Sequence, residues 1–179
     1  VHRLDRATSG VLIFALESSV AARLCGAFAK KEVQKKYIGV ARGHLEENGI
    51  IERPLKRDST DTLAESITEY KTLARCELSS AVGKYQTARY SLFEANPKTG
   101  RFHQIRRHMA GISHPIVGDT MHGDGDHNRF FRNELKISGL LLRAFELNLI
   151  HPISGNKIQI RTQWNKDWIK IAKLFSFSL

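Results

Sequence analysis

Residues 2–10 of the chain read His2-Arg3-Leu4-Asp5-Arg6-Ala7-Thr8-Ser9-Gly10. This stretch places one carboxylate between two arginines and ahead of two hydroxyl residues and a glycine, a composition typical of a tight turn. The flanking guanidinium groups favour the ionised form of Asp5, and an ionised carboxylate can attack an electrophilic sugar carbon or remove a proton. A surface turn with an ordinary Asp–Arg ion pair is the alternative interpretation.

Strand and helix patterns alternate downstream of this turn. The apolar run at residues 11–16 predicts a buried strand. Ser18 and Ser19 are predicted to cap a helix that ends near residues 30–31, because Val20, Leu24 and Phe28 recur every four positions. Further strands are predicted at residues 37–41, 67–78, 88–95, 140–149 and 157–161. After a turn at residues 96–100, Ile105 and Met109 predict a short helix, and Trp168 and Phe175 lie on a closing helix.

Two segments lack such a pattern. Residues 46–61 are polar and rich in turn formers, which predicts a short hairpin followed by a mobile loop. Residues 114–128 are rich in Gly, His and Asp and are predicted to form a second loop. The order of elements predicts a mixed α/β (α+β) domain around a mainly antiparallel central sheet with flanking helices.

The charge of the chain favours a polyanionic partner. Its 28 Lys and Arg residues against 18 Asp and Glu give a formal net charge of +10. Nucleic acid is the first partner to consider, since basic residues release counterions from it, and an acidic membrane surface is the alternative. No basic stretch carries the bulky apolar face of a membrane anchor, and the apolar run at residues 10–16 is too short to span a bilayer. The two cysteines form no metal-binding spacing and favour a reducing, cytoplasmic location.

Four motifs, in order, resemble those of the RluA-type pseudouridine synthases, which isomerise uridine in RNA. The first is the opening stretch at residues 2–10. The second is the tyrosine-bearing strand from Lys36 to Val40. The third and fourth lie at residues 99–108 and 114–119, and read TGRFHQIRRH and HPIVGD. The resemblance implies a pseudouridine synthase fold with a catalytic cleft. Residues 1–179 are then expected to form a single catalytic domain that lacks its N-terminal strand region.

The resemblance implies roles for the matching residues. Asp5 is the catalytic residue, which either attacks the ribose C1′ or removes the 2′ proton, and no cofactor or metal is required. Arg101 pairs with Asp5, Tyr37 stacks on the uracil, and Ile105 packs beneath the base. Arg3 occupies the space that the extruded uridine leaves. Basic residues expected to contact the RNA are Arg6, Lys35, Lys36, Arg106 and Arg107.

Residues 106–108, 121–124, 128–129 and 151–152 resemble a tRNA-modifying subgroup of the family, which implies a uridine in the T stem of tRNA. Ribosomal RNA is the second choice of substrate. A monomer is expected.

Two rival functions compete with the isomerase, and one loop could hold a metal. A binding module without activity would have the same basic charge, although it would have no use for a buried carboxylate. A glycosidic-bond hydrolase would need a second carboxylate as general acid, and none accompanies Asp5 in the motifs. A metal site could use His114, Asp119, His122, Asp124, Asp126 and His127, but no regular spacing directs three ligands together.

Overall fold

The structure is a computed structural model that describes residues 1–57, 60 and 62–178. Its elements, in chain order, are β1 (Ser9–Gly10), α1 (Ser18–Ala29), β2 (Gln34–Arg42), β3 (Asn48–Glu52), β4 (Leu55–Lys56), β5 (Leu63–Ala64), β6 (Ile67–Leu78), β7 (Ala88–Pro97), α2 (Gln104–Gly111), α3 (Gly125–Asn133), β8 (Leu142–Ile150), β9 (Lys157–Arg161) and α4 (Lys166–Leu174). None of the described helices is long and apolar enough to cross a membrane.

One mixed sheet organises the described part of the chain. Its strand order is β1-β8-β2-β7-β6-β3, and β9 also pairs with β8. β1 runs parallel to β8, whereas the other strands of this sheet pair antiparallel in the described residues. β4 and β5 form a separate two-stranded ladder. The predicted mixed α/β fold around a mainly antiparallel sheet is therefore confirmed.

Both faces of the sheet carry a hydrophobic core, because side chains of successive strand residues point in opposite directions. On one face Leu92 of β7 packs in a cluster with Phe131 of α3 and Ile171 of α4. On the other face Phe93 packs in a cluster with Met109 of α2. Each large apolar side chain buried in this way contributes roughly 1.5–3 kcal/mol. The second cluster fixes α2, which carries the third motif, against the sheet.

The prediction of a buried strand at residues 11–16 is wrong. The backbone N–H of Val11 still donates to the carbonyl of Ala144 (2.9 Å), but the ladder ends there. From Glu146 onward, β9 occupies the same edge of β8, so residues 11–16 have no strand to pair with. Phe14 and Leu16 are consequently 79% and 99% exposed.

The predicted helix after this segment is confirmed as α1, but its N-cap is Glu17 rather than a serine, and Glu17 makes no side-chain capping bond. The strands predicted at residues 67–78 and 157–161 are confirmed as β6 and β9 with the predicted bounds. Those predicted at residues 37–41, 88–95 and 140–149 are confirmed as β2, β7 and β8, with shifted ends. The short helix after the 96–100 turn and the closing helix are confirmed as α2 and α4.

The two polar segments differ from their predictions. In residues 46–61 the strands β3 and β4 pair with β6 and β5 and not with each other, so the predicted hairpin is wrong. The predicted mobile loop falls partly on residues 58, 59 and 61, which lie outside the described residues. In residues 114–128 a helix, α3, begins at Gly125, because the Asp124 carboxylate caps the N–H groups of Asp126 and His127.

Candidate active site

Asp5 lies in the turn that precedes β1 and faces a cleft of about 990 Å³. The N–H of Thr8 donates to the carbonyl of Asp5 (2.8 Å), which closes the turn predicted from the opening motif. The Asp5 side chain is 23% exposed, so its carboxylate is reachable yet partly dehydrated. The cleft brings together residues from the first three of the four motifs, together with Lys35: Arg3, Asp5, Lys35, Lys36, Tyr37, Arg101 and Ile105.

A buried arginine holds the Asp5 carboxylate. The Nη1 of Arg106 lies 3.5 Å from Oδ2 of Asp5, and the Arg106 side chain is 4% exposed. The same guanidinium donates from Nε and Nη2 to the two carboxylate oxygens of Asp119, at 2.7 and 2.8 Å. Such a bidentate pair fixes the plane of the guanidinium, and therefore the direction of Nη1.

Asp119 is itself fixed from the other side. Its Oδ1 accepts the backbone N–H groups of Met121 (2.9 Å) and His122 (3.0 Å), and its side chain is fully buried. Burial opposes ionisation of Asp119, but the hydrogen bonds from Arg106 and these N–H groups hold its pKa below the ordinary value. The hydrogen bond to Asp119 raises the pKa of Arg106. The pair is therefore charged at neutral pH and presents a fixed positive charge to Asp5.

The predicted partner of Asp5 must be corrected. Arg101 lines the cleft, but its Nε donates to the carbonyl of Glu65 (3.2 Å), and the arginine paired with Asp5 is Arg106. Arg101 precedes α2, whereas Arg106 lies on the buried side of that helix. The prediction that Arg106 contacts RNA from the surface is also wrong, because the Arg106 side chain is buried and its guanidinium is bound to Asp119. Arg107, one position later, donates from Nη1 to the carbonyls of Lys56 (3.4 Å) and Phe102 (3.5 Å) in exposed bonds.

Tyr37 and Ile105 form an apolar part of the cleft wall. Ile105 is 6% exposed, and Tyr37 packs against the same cluster. Burial, together with the nearby Asp5 charge, raises the pKa of Tyr37 to about 12. Tyr37 is therefore a neutral phenol at neutral pH, which suits a stacking surface and does not suit a general base.

The predicted RNA-contacting lysines lie in the cleft, each with a partner. Nζ of Lys35 donates to the carbonyl of Thr99 (3.3 Å), and burial lowers the pKa of this lysine. Nζ of Lys36 lies 3.2 Å from a Glu94 carboxylate oxygen. Arg6 is exposed and lies outside the residues that line the cleft.

Gln104 fixes the loop that carries Arg101. Its Oε1 accepts from the Thr99 hydroxyl (2.7 Å) and the Arg101 N–H (3.0 Å), and its Nε2 donates to the Ile67 carbonyl (2.9 Å) and the Thr68 hydroxyl (3.0 Å). The side chain is buried, so these bonds tie the third motif to β6 without competition from water.

The histidines and aspartates of residues 114–128 have structural partners. Asp119 binds Arg106, Asp124 binds Arg42 (2.6 Å), and His127 shares a hydrogen bond with the hydroxyl of Tyr90 (2.8 Å). His122 shares one with His103 (3.0 Å). Among the described residues no three His, Cys, Asp or Glu side chains are grouped to hold a metal ion.

Comparison with known proteins identifies the family. Residues 1–111 match the family model described as RNA pseudouridylate synthase. The chain belongs to that family. The resemblance predicted from the four motifs is thus confirmed, and with it the class of enzyme, an isomerase that acts on uridine in RNA.

Curated relatives match almost the whole chain. A tRNA pseudouridine synthase C of Vibrio parahaemolyticus is 44% identical over 188 residues, which cover 99% of this chain and 76% of the relative. The protein of the same name from Vibrio cholerae is 46% identical, with 99% and 77% covered. That from Pasteurella multocida is 42% identical, with 100% and 78% covered.

Two solved structures share the fold. Human RNA Pseudouridylate Synthase Domain Containing 1 superposes with a TM-score of 0.73 at 27% identity, covering 91% of this chain and 67% of the human one. Human RNA Pseudouridylate Synthase Domain Containing 4 gives a TM-score of 0.75 at 19% identity, with 99% and 76% covered. The second likeness concerns the fold alone. Together they confirm the predicted pseudouridine synthase fold.

Proposed function

We propose that the protein converts a specific uridine of tRNA, in the T stem, to pseudouridine, with Asp5 as the catalytic residue. The observation that carries the proposal is the Asp5 carboxylate in the cleft, held 3.5 Å from the buried Arg106. The choice of tRNA over ribosomal RNA rests on the relatives, which are named tRNA pseudouridine synthase C.

The reaction needs one carboxylate and no cofactor. Asp5 either bonds to the ribose C1′ as the uracil leaves, or removes the 2′ proton as the uracil leaves. The freed uracil turns within the cleft, and C5 bonds to C1′ either as the ester bond between Asp5 and C1′ breaks or as Asp5 returns its proton to C2′. C5 then loses its proton to the protein or to water, and N1 of the uracil gains one. Arg106 keeps the Asp5 carboxylate directed at the ribose throughout, since its own geometry is set by Asp119.

The cleft supplies what an extruded uridine requires. Taking a uridine out of a paired stem costs roughly a few kcal/mol. Stacking of its base on an aromatic ring returns about 1–3 kcal/mol, and Tyr37 is the aromatic side chain in the wall beside Asp5. Ile105 covers the other part of the base, and Arg3 fills the vacated place in the stem. Lys35, Lys36, Arg6 and Arg107 attract the phosphates, in keeping with the net charge of +10.

We also propose that residues 1–179 form one catalytic domain, which acts as a monomer in the cytoplasm. One continuous sheet and the cores on its two faces support the single domain.

Product analysis tests the function. The protein is incubated with an unmodified tRNA transcript and with a ribosomal RNA transcript, and the nucleosides and free bases are identified by mass spectrometry. Pseudouridine at one T-stem position of the tRNA is the expected product. Pseudouridine in the ribosomal transcript alone would show that ribosomal RNA, and not tRNA, is the substrate. Free uracil would indicate a hydrolase, and unchanged RNA would indicate a binding module without activity.

A further inference from the structure

Phe102 occupies an unusual place in the cleft. It follows Arg101 in the third motif, lines the cleft that contains Asp5, and is 40% exposed. Its backbone carbonyl accepts a hydrogen bond from Arg107, so a positive charge lies beside it. An exposed aromatic side chain next to a basic group is the combination with which proteins bind unpaired bases.

The residues behind Phe102 make its ring a supported surface. The ring of His103 stacks on it, with 3.7 Å between centroids and an angle of 20°. His103 is 7% exposed and adopts a left-handed backbone conformation (φ 51°), which turns its ring under that of Phe102. His122 in turn shares a hydrogen bond with His103 (3.0 Å) and meets its ring edge-on at 82°.

Desolvation by burial lowers the pKa of both His103 and His122, which favours the neutral imidazoles that share one proton. The three rings thus form a cluster in which the buried His103 and the half-buried His122 are hydrogen-bonded to each other, and in which Phe102, the outer ring, faces the cleft.

We infer that Phe102 binds a second nucleobase of the RNA, the base next to the uridine that reacts. Extrusion of a uridine removes one stacking partner from its neighbour in the stem. The open side of Phe102 replaces that partner for the neighbour that does not stack on Arg3, while the Tyr37 side of the cleft takes the uracil. Arg107 contacts the phosphate of the same nucleotide. Within the described residues both hydrogen bonds of Arg107 come from Nη1, so its Nε and Nη2 donors can reach a phosphate.

This inference rests on the proposed function, since it requires an RNA with an extruded uridine in the cleft. Stacking recognises any base, so Phe102 contributes affinity and not sequence preference. The expected loss on removal of the ring is about ten-fold in affinity, within the range measured for base–aromatic stacking.

Binding measurements on the full chain test the inference without requiring catalysis. The dissociation constant of an unmodified tRNA transcript is measured for Asp5→Asn protein and for the same protein with Phe102→Leu, Phe102→Trp or Phe14→Leu. Phe14 is the matched control, because it is 79% exposed and lies outside the cleft lining. Phe102→Leu should raise the Kd about ten-fold, while Phe102→Trp and Phe14→Leu should stay within about two-fold.

The salt dependence of the same Kd separates stacking from charge. Phe102→Leu should leave the slope of log Kd against log salt unchanged, whereas Arg107→Ala should reduce it by about 1. Equal Kd values for Phe102→Leu and Phe14→Leu, or a Phe102→Trp protein as weak as Phe102→Leu, would overturn the inference. Neither result bears on whether the wild-type protein forms pseudouridine, which product analysis decides separately.

Discussion

At the scale of single residues, the proposed catalysis depends on how the Asp5 carboxylate is held. The carboxylate of Asp5 contacts a guanidinium that is buried and already satisfied by a second carboxylate, Asp119. Arg106 can therefore neither rotate away nor lose its charge when water is displaced from the cleft. Asp119 is a positioning residue, because it acts on Asp5 only through Arg106.

Asp119→Asn is predicted to destabilise the protein and to slow the reaction. The change leaves the buried Arg106 charge without its main partner, which costs about 3–5 kcal/mol of unfolding free energy. Because the Asp5 carboxylate loses its fixed orientation, kcat should fall while the KM for tRNA stays within about two-fold. Urea denaturation and steady-state kinetics are the measurements.

Asp126→Asn is the control for that prediction. Asp126 pairs with Arg129, and the two side chains are 51% and 60% exposed, so its loss should change the unfolding free energy by less than about 1 kcal/mol. Comparable losses of stability in the two variants, or an unchanged kcat in Asp119→Asn, would argue against the positioning role.

The first two motifs, through their resemblance to the family, were sufficient to predict that Asp5 and Tyr37 line one cleft, but not which arginine holds Asp5. Arg101 and Arg106 are both in the third motif, and the distinction depends on where α2 begins. Arg106 lies about 60° around the helix from Met109, at the edge of the apolar Ile105–Met109 stripe, whereas Arg107 points away from it. That spacing favours burial of Arg106. Its buried partner, Asp119, comes from another segment, and only the tertiary fold brings the two together.

At the scale of elements, the two-residue strand β1 determines where the catalytic turn sits. Gly10 has φ +127°, and a Cβ built on it would lie 2.1 Å from the carbonyl oxygen of Ala144. The parallel pairing of β1 with β8 therefore requires glycine at this position. Gly26 in α1 is the opposite case, since a Cβ there would meet nothing within 4 Å.

Alanine at these two glycines should have effects of opposite sign. Gly10→Ala is predicted to lower the unfolding free energy by about 2 kcal/mol or more, through backbone strain and the clash with β8. Gly26→Ala should raise it by roughly 0.5–1 kcal/mol, because alanine restricts the unfolded chain and favours a helix. Urea denaturation measures both, and a Gly10→Ala protein at least as stable as wild type would show that β1 does not require this close approach.

The elements that were predicted correctly are those with a clear periodicity. The strand at residues 11–16 was predicted wrongly because its apolar residues are typical of a strand, whereas β9 occupies the edge that it would need. α3 was not predicted because its first turn is Gly, Asp and His, and its start depends on the Asp124 cap. Hydrophobic periodicity does not show which strand occupies a sheet edge, and it does not show which side chain caps a helix.

At the scale of the whole molecule, buried histidines make stability depend on pH. His108 is fully buried, with Nδ1 2.9 Å from the Thr68 hydroxyl and Nε2 3.0 Å from the Arg53 carbonyl. Desolvation by burial lowers its pKa, and it also lowers those of His103, His122 and His127. Below the unfolded pKa of about 6.5 the unfolded chain binds more protons than the folded one. The neutral histidines therefore contribute fully to the free energy of unfolding above that pH. Their contribution is lost as the pH falls from about 6.5 toward the lowered pKa values of the folded protein.

The free energy of unfolding is therefore predicted to be lower at pH 5.5 than at pH 7.5. His108→Gln should reduce the difference between the two pH values, because it removes one buried titrating group. His44→Gln, at an exposed position, is the control and should leave the difference unchanged. Urea denaturation at the two pH values is the measurement, and an identical pH difference in the His108→Gln and wild-type proteins would show that His108 does not contribute.

The Asp5 carboxylate is proposed to perform the isomerisation in a cleft that binds tRNA even without that carboxylate. The most direct test is the single-turnover rate of pseudouridine formation by Asp5→Asn protein in excess over an unmodified tRNA transcript, measured together with its Kd. We predict a rate at least about 10³-fold below wild type, with an unchanged Kd. A wild-type rate in uncontaminated Asp5→Asn protein would contradict the account.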